Sequence, residues 1–528
     1  MDRFNEICSS SHKRKVSNEI FETPQKREKQ QKVDVMIAGP ANANLVSPAK
    51  VNDLVVEFIT EGLMPFSVVE MPSFKAPVTG LQPNRSVISR PTVIKRINEK
   101  ATLVKENVKD AMAKAQHIAT TTDCWTAHRR SFIGVTSHWI DEQTLERKSA
   151  ALACPRLKGR HTYDVLAAKL EDIHVEYDIQ TKIVMTTTDS GSNFVKAFSV
   201  FGANAEQPDE SDDFVFEDVS EHLTRAEDSL EYHLPPHHRC AAHSLNLAAE
   251  VIEDECGLVL LKPNATRWNS VFLAVERLVR IIKEKGENAI HKLCTEFNLP
   301  KFKAEIQFLK DYAHVMKPVA QSLNILQGEN NHSNAYMGYL APTISLLKEK
   351  LLQRRSSTTG LEPLVDASLS GIDKRFGSIL GDEKIIAAAI LHPKFKDQWT
   401  EDKDLLQKGI NVINTKLVQV ATVGDSEGSV KSINEDDDNE FFKSKKKSCT
   451  SELELFLDSP ADELAIYSRF PKLRQLFIEL NTPLPASAAC ERLFSCAGLI
   501  FRPHRCSMKD DNFENSLLVK LNKKHFIY

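Results

Sequence analysis

Two short runs of β-branched residues end alike in this chain, Thr120-Thr121-Thr122-Asp123 and Thr186-Thr187-Thr188-Asp189. Branching at Cβ suits a pleated strand better than a helix, so each run predicts a strand with a carboxylate at its carboxyl end. Between the two runs, Phe132 to Ile140 alternates, with Ile133, Val135 and Trp139 on one face. Lys148 to Cys154 is a third candidate strand, and Thr162 is placed to cap a helix whose apolar side is Val165, Leu166, Leu170 and Ile173. After Asp189, the polar turn Ser190-Gly191-Ser192-Asn193 leads into a short helix carrying Phe194, Val195, Phe198 and Phe201. Three strands, helix, strand, helix predicts an α/β fold on a mixed sheet, with the two Asp-ending strands parallel and adjacent.

The flanks divide by composition. Residues 1–50 are polar and aperiodic, with basic clusters at Lys13-Arg14-Lys15 and Lys26-Arg27-Glu28-Lys29, and read as a basic tail of the kind nuclear import machinery recognises. Residues 51–115 read as helical, with Val51, Leu54, Val55 and Phe58 on one face, breaks at Pro65 and Pro72, and a second helix over 92–115. Residues 116–262 carry the sheet and include an acidic loop, 206–231. Residues 263–423 read as an all-helical insertion. There Val271, Ala274, Val275, Leu278 and Ile281 form one face, and Phe308, Leu309, Tyr312, Val315, Val319 and Leu323 another, with a kink expected at Pro318 and a stop at Gly328. A charged linker, 424–450, precedes a last helical segment, 451–528.

Composition narrows the class of protein. A hydrophobic share of 41% excludes wholesale disorder, and a net charge of −4 excludes a uniformly basic chain, so a nucleic-acid surface would be a local patch. The longest apolar run, Ile385 to Leu391, is far short of the roughly 20 residues that span a bilayer, and the N-terminus lacks a secretory signal. A soluble intracellular protein without a membrane partner is expected. No C-x-x-C occurs, so paired-cysteine zinc sites are not encoded in their usual spacing.

Carboxylates at the tips of adjacent strands repel, and a shared Mg²⁺ or Mn²⁺ relieves that repulsion. A third acid completes such a ligand set, and the candidate is Glu491, in Ala489-Cys490-Glu491-Arg492-Leu493-Phe494-Ser495. Asp123, Asp189 and Glu491 are therefore the candidate catalytic and metal-binding residues. Two metal ions on such a set would clamp the attacking and leaving oxygens of phosphoryl transfer. A strand-ending aspartate is more often a cap or turn former, so the residues alone prove little.

The surrounding words carry a resemblance. Thr-Thr-Asp-Cys-Trp-Thr (121–126), Thr-Asp-Ser-Gly-Ser-Asn-Phe (188–194), Arg-Cys-Ala-Ala-His-Ser-Leu-Asn-Leu (239–247), Asn-Ala-Thr-Arg-Trp-Asn-Ser (264–270) and Ala-Cys-Glu-Arg-Leu-Phe-Ser-Cys-Ala-Gly-Leu-Ile (489–500) occur in this order. They resemble the hAT-superfamily DNA transposases and the transposase-derived, zinc finger BED domain-containing proteins. The resemblance implies an RNase H-like core with an Asp-Asp-Glu triad at Asp123, Asp189 and Glu491, interrupted by a helical insertion. It also implies that 451–528 completes the core and brings chains together as a dimer. Trp125 and Trp268, with Arg267, would lie near the active site and stack on an extruded base, while Cys240 and His243 match the family's Cys-x-x-His motif beside bound DNA. From the residues themselves, either tryptophan is as well read as core. One Cys and three His within 237–243 do not make a closed tetrahedral spacing, so no structural zinc is expected.

The chain also departs from the family. Before residue 124 the only cysteine is Cys8, so a BED-type finger is not expected there. Only 23 residues separate His243 from Arg267, a shorter connection than related chains use. The expectation is a nuclear, transposase-derived protein that associates with DNA, dimerises through 451–528 and regulates transcription, with its acids retained and no small-molecule substrate. The alternatives are an active cut-and-paste transposase using Mg²⁺ or Mn²⁺, and a protein-interaction scaffold that does not touch DNA.

Overall fold

The computed structural model describes residues 46–81, 85–189, 191–203, 232–245, 268–296, 305–328, 335–356, 360–424, 451–502, 505 and 507–525. The expected tail, acidic loop and charged linker fall largely or wholly outside the described residues.

Six strands form one mixed sheet: β1 (Ile118–Ala127), β2 (Arg130–Ile140), β3 (Arg147–Ala153), β4 (Arg156–Leu157), β5 (Ile183–Thr188) and β6 (His237–Arg239). The spatial order is β3-β2-β1-β5-β6, with β4 alongside β2. β1 runs parallel to β5, in the arrangement the two threonine runs predict, and β6 runs parallel to β5 on its other side. Hydroxyls knit the strands from within: Thr120 Oγ1 lies 2.7 Å from Thr186 Oγ1, and Thr121 Oγ1 2.6 Å from Thr136 Oγ1. β1 and β2 are joined by a two-residue turn in which His128 and Arg129 have φ of 48° and 61°. That backbone fits the right-handed twist of a hairpin, at a conformational cost in residues that bear a Cβ.

Helices cover both faces. On one lie α3 (Arg90–Ala113), α4 (Tyr163–Glu176) and α5 (Ser192–Phe201), which follow α1 (Pro48–Glu61) and α2 (Pro72–Leu81) in the chain. Their Val108, Met112, Leu170 and Phe198 meet Ile118, Ile133, Val135 and Leu152 of the sheet. The opposite face is closed from the far end of the sequence, beyond the helical insertion. The insertion comprises α6 (Trp268–Lys285), α7 (Glu287–Glu296), α8 (Glu305–Gln327), α9 (Leu340–Arg355), α10 (Glu362–Leu380), α11 (Glu383–Leu391) and α12 (Lys403–Gly424). The last segment supplies α13 (Glu452–Asp458), α14 (Pro471–Asn481), α15 (Ala488–Ile500) and α16 (Asp510–Leu521). Cys490, Leu493 and Phe494 of α15 and Phe513 and Leu517 of α16 pack with Phe132 and Ala151 of the sheet.

The apolar run Ile385 to Leu391 is α11, buried along its whole length at the centre of the helical region. No helix among the described residues is long and apolar enough to cross a membrane. Asn481, at the end of α14 and fully buried, accepts from Gly338 N at 2.9 Å and donates to Ala388 O at 3.1 Å. Arg147 of β3 donates to the carbonyls of Asn481 (2.5 Å) and Thr482 (2.7 Å). Those bonds satisfy two orphan carbonyls at a helix end and fasten the sheet to the helical region.

Several helix faces are rotated from the expected ones. α1 buries Val51, Val55, Val56 and Ile59, and leaves Leu54 and Phe58 exposed, because its partners Val93 and Ile97 of α3 lie to that side. Val165, Ile281 and Leu499 are likewise exposed, whereas Leu166, Phe272, Val275, Ile282 and Ile500 are buried. α8 runs through Pro318 without a break in its assignment and ends before Gly328, whose φ is 72°.

The seat of α15 on the sheet has almost no slack. A Cβ at Gly134 of β2 would lie 2.7 and 2.8 Å from ring carbons of Phe494. Gly134→Ala is therefore expected to cost about 1–3 kcal/mol through overpacking, read as a lower midpoint in urea unfolding with an unchanged slope.

Candidate functional site

Thr122 and Thr188 are paired across the parallel strands, so the residues that follow them, Asp123 and Asp189, emerge together at the sheet's carboxyl edge. Each is anchored by its own backbone. Cys124 N–H donates to Asp123 Oδ1 at 2.7 Å, and Gly191 N–H donates to Asp189 Oδ1 at 3.1 Å. Glu491 sits in the first turn of α15, half-buried. The Asp123 carboxyl is pushed up to about 8, by burial first and then by the negative charge of Asp189; the Cys124 N–H opposes this, and the charge of Glu491 and a hydrogen bond with Asp189 add to it. Three acids from residues 123, 189 and 491 thus share one electrostatic neighbourhood.

Residue 490 fixes the register of that helix. The Cys490 thiol lies 3.2 Å from Thr121 O, 3.2 Å from Thr121 Oγ1 and 3.5 Å from Gly134 O, so it is seated on the sheet face across β1 and β2. Cys240, just after β6, performs a similar task. Its N–H donates to Thr188 O at 2.7 Å, and its sulfur accepts from Ser487 N at 3.3 Å and His243 N at 3.4 Å. The thiol is buried and its pKa is raised by that burial, so it acts inside the fold, tying the Asp189 strand to the start of the Glu491 helix. His243 is half-buried beside it. His237 lies 2.8 Å from Thr188 Oγ1 and stacks on Phe198 at 4.4 Å, so Cys240 and His237 already have partners.

Trp125 lies two residues beyond Asp123 and therefore on the same face of β1. It is half-buried, with its ring 5.8 Å from Phe494 and 5.7 Å from Phe132. The reading as core and the reading as a stacking platform both find support in one side chain, since part of the indole is packed and part is accessible. Trp268 opens α6, but its side chain lies outside the described residues, as does Arg267. Reading the sequence missed Cys490 as the register pin and Gly134 as its receptor. A glycine inside a strand pattern is the available signal for such a close approach.

The donor chemistry suits a hard divalent cation, because two carboxylates forced together and a third nearby are what such an ion neutralises. Among the described residues, however, no group of three or more His, Cys, Asp and Glu side chains is placed to enclose one. Burial and the charge of Asp189 instead push the Asp123 carboxyl up. The sign of the resulting pH dependence is fixed by the raised Asp123 pKa. Folding retains a proton that the unfolded chain has released, so this group's contribution is full below about 4 and is lost as pH rises towards 8. Asp123→Asn is expected to raise the melting temperature by several degrees at pH 8 and by clearly less at pH 5, as followed by circular dichroism.

Comparison with known proteins places this geometry. Residues 121–207, from β1 through the end of α5, match the family model described as the ZBED1 RNase-like domain. A Talaromyces stipitatus protein named "Putative transcriptional regulator tpeD" is 30% identical over 164 residues, covering 30% of this chain and 19% of that protein. The human "Zinc finger BED domain-containing protein 4" is 21% identical over 398 residues, 67% of this chain and 31% of that protein. The chain thus spans less than a third of the length of these curated relatives. The RNase-like match over residues 121–207 and the likeness to these two proteins support a relationship with the hAT-derived, BED-type proteins.

Proposed function

We propose that this chain is a nuclear, DNA-associated regulatory protein of transposase descent, which dimerises through 451–528 and has kept its acids as part of a nucleic-acid-facing surface. The observation that carries the reading is the disposition of the acids. Asp123 and Asp189 emerge side by side at the carboxyl edge of an RNase-like sheet with the charge of Glu491 near Asp123, yet burial and the charge of Asp189 push the Asp123 carboxyl up towards its protonated form. The name of the fungal relative supports a regulatory role, and Trp125 offers a partly accessible aromatic face beside the acids. Most apolar surface of 451–525 is spent within the chain, against the sheet and α11, so a dimer contact would use the outward sides of these helices, where Leu455 and Leu499 are exposed.

The convergence of Asp123, Asp189 and Glu491 favours a second reading, cut-and-paste strand cleavage. A pair of divalent cations, when bound, would supply charge neutralisation at the attacking and leaving oxygens. The chain's own part would be to surrender the proton held by Asp123, to hold Glu491 in place through the Cys490 anchor, and to stack an unpaired base on Trp125.

Two measurements separate the readings. Duplex DNA binding by the full chain is expected to weaken steeply with salt, with log K falling linearly against log salt as phosphate contacts are lost; a flat curve or no binding would reject DNA association. In Mn²⁺ or Mg²⁺, no strand cleavage above the Asp189→Ala control is expected. Cleavage at least tenfold above that control would establish the second reading instead.

A further inference from the structure

Beside the first turn of α15, a cavity of about 70 Å³ lies between that turn, β2, β3 and the end of α8. Its polar lining comes from His138, Arg147, Ser149, Gln327 and Arg492, and no carboxylate of a described residue lines it. The two arginines spend their hydrogen bonds on carbonyls: Arg147 on Asn481 and Thr482, and Arg492 on Gln327 at 3.2 Å. Carbonyls orient a guanidinium but leave its charge uncancelled. Lys524 adds a third cation close by, donating to Ser149 Oγ at 2.9 Å.

Other features share that sign. His138 is buried, and its pKa is held well below the ordinary value by that burial and by the charges of Arg147, Arg492 and Lys524. Its Nε2 lies 2.8 Å from Thr136 Oγ1, and its other ring nitrogen bonds to no described residue. The first turn of α15 borders the cavity through Ala488 and Ala489, whose N–H groups also bond to no described residue. A helix of 13 residues brings the positive end of its dipole there. A volume of this size holds several waters and accommodates a compact tetrahedral ion.

We infer that this cavity binds a phosphate-type oxyanion, either a backbone phosphodiester of DNA or free phosphate. Arg147 and Arg492 supply the charge, and Ser149 and the start of α15 supply neutral donors. Bidentate and charge-assisted geometry at arginine is what selects such an ion over chloride. Because Arg492 directly follows Glu491, an occupant would also steady the helix that carries that acid.

The test uses the full chain in EDTA, with inorganic phosphate titrated against chloride at constant ionic strength and followed by calorimetry and melting temperature. Saturable binding with a rise in melting temperature is expected for the wild type. Arg492→Gln is expected to weaken binding about tenfold, the worth of one charge-assisted hydrogen bond, with its melting temperature in chloride unchanged. Ala489→Glu, which places a carboxylate in the cavity, is expected to lose the phosphate response and serves as an independent variant should the first fold poorly. Phosphate acting no differently from chloride, or Arg492→Gln binding phosphate like the wild type, would overturn the inference. Duplex DNA that competes with phosphate assigns the site to a phosphodiester, and saturable phosphate binding without competition assigns it to the free ion. Asp189→Ala is expected to bind phosphate normally, so the result here stands apart from the fate of the acid site.

Discussion

A cysteine thiol seated across two paired strands governs this architecture. Cys490 reaches the backbone carbonyls of Thr121 and Gly134, and Phe494, one turn along, fills the space that Gly134 leaves empty. These contacts set where α15 lies on the sheet and how it is rotated. The rotation aims Glu491 towards Asp123 and Arg492 towards the cavity beside Arg147. Side chains at successive positions on a helix point about 100° apart, so one fastening serves two surfaces. Cys240 secures the same helix from its other side through Ser487.

The acids illustrate how electrostatics and packing divide their tasks. Packing brings Asp123 and Asp189 together because their strands are hydrogen-bonded in parallel register up to Thr122 and Thr188. Electrostatics then opposes that arrangement, and the opposition appears as a carboxyl that keeps its proton at neutral pH. Such tension is tolerated where the fold over-determines the positions, here through N–H donors to both aspartates and a rigid sheet behind them.

Much of this was legible in the text of the chain. Threonine runs ending in aspartate announced β1 and β5, because β-branching and period-two alternation are local properties. The parallel pairing of those strands followed from the helix lying between them. Helix faces were less legible. On α1, the apolar residues Leu54, Phe58, Val56 and Ile59 are distributed widely enough that the buried side is decided by where α3 lies. Least legible were the polar ties. Nothing local marks Arg147 as the partner of carbonyls 334 and 335 positions away, or Asn481 as the bridge between Gly338 and Ala388. Such long-range bonds satisfy groups that other elements leave unpaired, and they become visible only once the elements are assembled.

The outer edge of β3 shows what this long-range dependence means for a chain made from one end. Ala151 exchanges both of its backbone hydrogen bonds with the side-chain amide of Asn522, and the Ser149 carbonyl lies 3.0 Å from His525 Nε2. An edge strand left open is a template for pairing with a neighbouring molecule. On the ribosome, the protector of this edge emerges more than 350 residues after the strand itself. A nascent chain therefore carries an unprotected strand until translation has passed Asn522, and over that stretch the edge is open to pairing between newly made copies.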